Sequence, residues 1–183
     1  MLKFDDLPEI KAAQKIIRSY QYSKETIPVK IRQIMVDMNI LIKDVSLPNE
    51  ISGVLDTRGD QPIVLVHDNH GEKRKRFSLA HELGHFILNS SSRAIHMDRH
   101  TFFRSNFSSS GTDIEEIKAN RFAAELLMPS DILWEILLDM PDLIDIDENE
   151  GLKALEDLAG KFEVSVAALT IKISGVLKGK SFF

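Results

Sequence analysis

Apolar positions recur at the helical period through residues 8–23 and again through 27–38, where Pro28 opens the second run. The pattern then changes. Short β-prone runs occupy 39–46, 51–57 and 62–67, the last two separated by the turn signal Arg58-Gly59-Asp60. Helical spacing returns with Phe77, Leu79, Ala80, Leu83, Phe86, Ile87 and Leu88. It returns once more at 119, 122, 123, 126 and 127 in a helix over 115–129 that Pro129 ends. Ser130 is placed to cap a further helix through Leu138, and an acidic break at 141–148 separates it from a helical tail at 151–178. Helix first, then a small sheet, then helices: this order predicts an α+β fold.

The third helical stretch carries His81-Glu82-Leu83-Gly84-His85. Two histidines four apart project from one face, close enough to share a metal ion, and the glutamate between them can act as a base toward water. The five residues alone are only moderately specific. Their setting adds weight, because the apolar residues around them describe a helix packed into a core with two imidazoles on one side.

A catalytic zinc takes three protein ligands and keeps a position open. The extended pattern that finds its third ligand on the same segment needs Gly at 88 and His at 91, where this chain has Leu88 and Ser91. Downstream, Glu116 shares a helix face with Ala119, Asn120 and Ala123, an acidic group on an otherwise small face. Asn120 lies one turn on, where its side-chain oxygen could accept the free ring N–H of a ligating histidine. Glu115 is rotated about 100° from that face. His96 and His100, in the polar stretch 90–112, could also supply the third ligand.

Taken together, Arg76-Phe77-Ser78-Leu79-Ala80-His81-Glu82-Leu83-Gly84-His85 and the stretch from Glu116 to Pro129 resemble the ImmA/IrrE family of bacterial metallopeptidases. Ile51-Ser52-Gly53 followed by Pro62-Ile63-Val64-Leu65-Val66 is similar to the strand pair that precedes the active-site helix of that family. The likeness runs from about residue 27 to 175. It implies a zincin-like domain at 27–140, with a small β-sheet packed on the active-site helix. An N-terminal helical extension at 1–26 would precede it, and a C-terminal helical appendage at 141–183 would pack on it. The resemblance further implies one Zn2+ per chain held by His81, His85 and Glu116, with Glu82 as general base. Members of the family cut helix-turn-helix repressors of mobile elements, prophages or stress regulons, so such a repressor is the expected protein partner.

Composition narrows the classes. Cysteine is absent, which removes disulfides, thiol catalysis and thiolate ligands. The formal net charge is −5, which does not favour nucleic acid or an anionic membrane as partner. No apolar run approaches a membrane span, and acidic Asp5 and Asp6 stand where a signal peptide would be basic, so a cytoplasmic protein is expected. The basic run Lys73-Arg74-Lys75-Arg76 opposes the dipole of the helix it starts, which favours a packing or docking reason for it.

Two further segments bear on function. Residues 90–112 read as a long polar connection, and Phe102, Phe103, Phe107, His96 and His100 within it suggest a wall of the substrate cleft. Residues 158–169 resemble a helix-turn-helix, with the turn near Glu163 and Ser165 capping the second helix. That second helix offers Val166, Ala167, Ala168, Leu169, Thr170, Ile171 and one lysine, Lys172, so direct reading of DNA is not expected despite Lys178 and Lys180 nearby. The expected activity is zinc-dependent peptide-bond hydrolysis. The competing possibility is a non-catalytic, zinc-containing regulator that controls a repressor or DNA by binding; a structural zinc would close its coordination with a fourth ligand and have no use for Glu82. For an oxyanion donor the sequence offers Tyr20, Tyr22, His67, His96 and His100 without choosing among them.

Overall fold

The structure, a computed structural model, describes residues 6–89, 94–99, 111–140 and 148–180. It is α+β. The elements are α1 (Pro8–Ser19), α2 (Ile31–Asp37), β1 (Leu41–Val45), β2 (Ile51–Asp56), β3 (Ile63–His67), α3 (Glu72–Leu88), β4 (Ile95–Arg99), α4 (Gly111–Leu127), α5 (Ser130–Asp139), α6 (Glu148–Phe162) and α7 (Val166–Lys180). By internal packing they form two compact units, residues 30–123 and residues 1–29 together with 124–183.

In the unit 30–123 the four strands run in the order β1-β3-β2-β4. β3 pairs in parallel with β1 and antiparallel with β2, and β2 pairs antiparallel with β4. β3 lies inside the sheet, and Val64 and Val66, two apart and therefore on one face, are fully buried, whereas Ile63 and Leu65 on the other face are partly buried. Ile31, Ile34 and Met35 of α2, Leu79, Ala80 and Leu83 of α3 and Ala119, Phe122 and Ala123 of α4 are buried in the same unit.

β4 corrects the reading of 90–112 as one irregular connection. Ile95-His96-Met97-Asp98-Arg99 is short and half polar. It is a strand because β2 supplies its hydrogen bonds, which depend on tertiary pairing more than on local propensity. The β2–β4 register slips between Ile51 and Gly53. Ser52 is the extra residue of this bulge, and so Ser52 and Gly53, adjacent in sequence, are both buried.

The basic run at the start of α3 is engaged with the sheet. Lys75 Nζ lies 3.1 Å from Asp44 on β1, a carboxylate that also receives Arg32 of α2 at 2.9 Å. Arg74 donates to Ser52 Oγ at 3.1 Å. Two of the four cations therefore serve packing.

In the other unit, α1 buries Ile10, Ala13, Ile16 and Ile17, the helical stripe expected within 8–23. α6 ends with Glu163 in the left-handed region (φ 53). The Val164 N–H reaches Ala159 O and the Glu163 N–H reaches Gly160 O, a Schellman close on a non-glycine residue. Ser165 Oγ then accepts the Ala168 N–H at 3.2 Å, capping α7. The helix-turn-helix-like appendage is thus present, and its Lys172 is buried beside Glu125 and Ser130. Ser130 does not cap α5. It is the first residue of that helix, where its N–H and its hydroxyl both donate to Glu125, so that the carboxylate does the capping.

Candidate active site

Helix α3 brings His81 and His85 onto one buried face one turn apart, with their Nε2 atoms 3.0 Å from each other. Helix α4 presents Glu116 across from them. One of its carboxylate oxygens lies 3.1 Å from His81 Nε2 and the other 3.2 Å from His85 Nε2. Gly84, inside the histidine pair, is what lets the helices come so close. A Cβ there would lie 3.0 Å from the Phe122 ring and 3.2 Å from Ala119 Cα.

The donor atoms of His81, His85 and Glu116 all lie within 4.8 Å of one another, an arrangement compatible with a metal ion. Bonds of 2.0–2.1 Å in a tetrahedron separate ligand atoms by about 3.3 Å, and the approaches of 3.0 to 3.2 Å, made by the two histidines to each other and to separate oxygens of Glu116, are of that order. His81 Nδ1 lies 3.0 Å from Asn120 Oδ1. That acceptor fixes a ring proton on Nδ1, so that a metal arriving at the cluster would displace the proton on Nε2 and be met by that nitrogen.

Glu82 is fully buried, and both its carboxylate oxygens lack a hydrogen-bond partner. A carboxylate kept from water in this way is unusual outside a functional site. Burial, opposed by His81 and reinforced by Asp98 and Glu116, pushes its pKa up to about 8. Burial also disfavours a charged His81, but the Glu116 carboxylate, with Glu82 and Asp98, outweighs it and holds that imidazole up at about 9. For Glu116 burial works the other way, and the hydrogen bonds from His81 and His85 overcome it and hold the carboxyl well below the usual range.

Gly53, at the β2 bulge, bounds the space that Glu82 occupies. A Cβ at position 53 would lie 2.7 Å from Glu82 Oε1 and 3.2 Å from its Cγ. Because Glu82 is enclosed, its carboxylate could yield only by leaving its position. Gly53→Ala should therefore lower the rate of any reaction that uses Glu82 by about 10²-fold, the scale expected for an ångström of misplacement. Metal content should be unchanged. A normal rate in that variant would show that the carboxylate does not act from this position.

Of the remaining residues singled out in the sequence, Glu115 is exposed and His96 lies beside the cluster. The His96 ring stacks on that of His85 with centroids 3.7 Å apart. His100, Phe102, Phe103 and Phe107 fall outside the described residues. His67 stacks on His70, and its Nδ1 accepts the Asn69 N–H at 3.2 Å. Gly53 was missed by sequence reasoning, since nothing local distinguishes it from any glycine in a strand.

Among the described residues no helix is long and apolar enough to cross a membrane. The chain is 28% identical over 155 residues to a protein of Bacillus phage phi105 named "Uncharacterized immunity region protein 2", covering 82% of this chain and 90% of that one. Residues 36–174 match the family described as Peptidase M78, IrrE N-terminal-like domain. That span contains the whole of α3 with its histidine pair, the sheet beside it and the helix bearing Glu116, and the chain belongs to this peptidase family.

Proposed function

We propose that this chain is a zinc-dependent endopeptidase of the cytoplasm that cleaves a helix-turn-helix transcriptional repressor, relieving repression of a mobile element, prophage or stress regulon. The observation that carries the reading is a buried, unpartnered Glu82 carboxylate adjoining three converging metal donors. A structural metal site has no need of such a group. The phage immunity-region relative supports a repressor as the partner.

In this reading His81, His85 and Glu116 hold one Zn2+, which when bound supplies Lewis acidity to a water and to a peptide carbonyl. Asn120 keeps the His81 ring in the tautomer that ligation needs. Glu82 takes a proton from the attacking water as the water oxygen bonds to the carbonyl carbon. It then gives that proton to the amide nitrogen as the C–N bond breaks. One water is consumed; its second proton stays with the new carboxyl group, and the carboxylic acid and amine that are released settle as carboxylate and ammonium. A carboxyl with a pKa near 8 suits both halves of this transfer, basic enough to accept the proton and acidic enough to return it.

The test is metal stoichiometry together with cleavage. The purified chain should bind one zinc and cut a repressor encoded beside it into two fragments visible by mass spectrometry. His81→Ala, His85→Ala and Glu116→Ala should each lose both zinc and cleavage. A Glu116→Ala protein with full zinc content would move the third ligand elsewhere. A zinc-loaded wild-type chain that binds the repressor and leaves it intact would favour regulation by binding.

A further inference from the structure

The cluster has a neighbour that the proposed reaction has not used. His96 sits on β4, an edge strand of the described sheet, in register with Leu55 of β2. Its flanking residues Ile95 and Met97 are exposed, 42% and 47%, whereas the His96 side chain is 23% exposed and turns toward α3 and α4. The ring lies nearly parallel to that of His85, at 24°, and its Nδ1 is 3.7 Å from Glu116 Oε1. That separation is too long for a hydrogen bond. Nδ1 is buried and has no hydrogen-bond partner.

His96 therefore borders the metal donors without joining them. The three donor groups that converge are His81, His85 and Glu116, and His96 is not among them. With its side chain 23% exposed and held by a ring stack beside the donors, the His96 imidazole can present a ring N–H to a group bound at the cluster. In amide hydrolysis negative charge gathers on the carbonyl oxygen, and donors fixed in advance around that oxygen give the largest stabilisation. His67, the other described histidine on the sheet, is buried and stacks on His70.

We propose that His96 donates a ring N–H hydrogen bond to the carbonyl oxygen of the scissile peptide as that oxygen becomes negative. No proton changes hands at His96. The bond-making and proton transfer remain with water and Glu82, and the His96 bond tightens as the adduct forms. This assignment rests on the peptidase reading above.

Two substitutions isolate the role. His96→Phe keeps a ring against His85 and removes the N–H, while His96→Gln keeps a donor without the ring. Each is prepared as the full chain, loaded with zinc, and titrated with N-blocked phosphinic tetrapeptides, whose tetrahedral phosphinate oxygens mimic the adduct. Zinc affinity is measured separately by competition with a chromophoric chelator. His96→Phe should bind zinc as the wild type does, weaken the phosphinate about 100-fold, and lower kcat on the neighbouring repressor by about 10² with KM little changed. His96→Gln should recover a substantial part of both losses. Zinc affinity falling tenfold or more in His96→Phe would make His96 a metal ligand and overturn the assignment. Unchanged phosphinate binding in that variant would overturn it as well. If the wild-type chain itself neither binds a phosphinate nor cleaves the repressor, the peptidase reading falls and the assignment with it.

Discussion

Glu82→Gln should retain one zinc per chain and lose cleavage, with kcat reduced by roughly 10²–10⁴ or beyond detection, the range for removal of a general base. The amide has the shape of the carboxylate, so Gly53 and the β2 bulge accommodate it as before. None of the three proposed metal donors, His81, His85 and Glu116, is touched. What disappears is the ability to take a proton from water. Stability should move in the opposite direction. The Glu82 carboxyl is raised from its ordinary value to about 8 in the folded chain, so folding is favoured while it stays protonated and loses that support as pH rises toward and through 8. In chelator-treated protein, Glu82→Gln should therefore be more stable than wild type by a margin that opens from about pH 4.5, the unperturbed value, and levels off above about pH 8. Urea titrations across that range read the margin. A Glu82→Gln protein that still cut the repressor at the normal rate would end the proposed mechanism, and a margin that shrank with rising pH would contradict the burial argument.

Lys172→Met should destabilise the chain by about 3–5 kcal/mol, the cost of leaving a buried charge without its partner. Lys172 and Glu125 are 7% and 1% exposed at their side chains, and Ser130 donates to Glu125 while accepting from Lys172. Removing the ammonium leaves Glu125 with the Ser130 hydroxyl and N–H but no cation from α7. The double variant Lys172→Met with Glu125→Gln should recover much of the loss, because a neutral pair avoids the desolvated charge. Denaturant midpoints of the wild type, the two single variants and the double variant give the coupling. Additive losses would mean that the ion pair holds α7 no better than ordinary packing does.

The sequence alone determined the parts of the site that lie within one helix. His81 and His85 share a face because they are four residues apart, and Glu116 shares one with Ala119 and Asn120 for the same reason, so helical periodicity makes both groupings readable without any fold. The three strands between 39 and 67 and the close of α6 at Glu163 before Ser165 are equally local, set by β-prone runs, turn residues and a cap. The tertiary structure decided everything that depends on partners distant in the chain. β4 exists because β2 pairs with it, and that pairing carries His96 from a polar, Ser-rich stretch to the ring of His85. The bulge at Ser52 turns Gly53 toward Glu82, and Gly84 has its importance only because α4 crosses there. Lys172, the first of three lysines in α7, is inside because Glu125 and Ser130 await it. A helix repeats its own geometry every few residues, whereas strand register and helix crossing are settled by packing between segments far apart in the chain, and no window of the sequence contains both sides of those contacts.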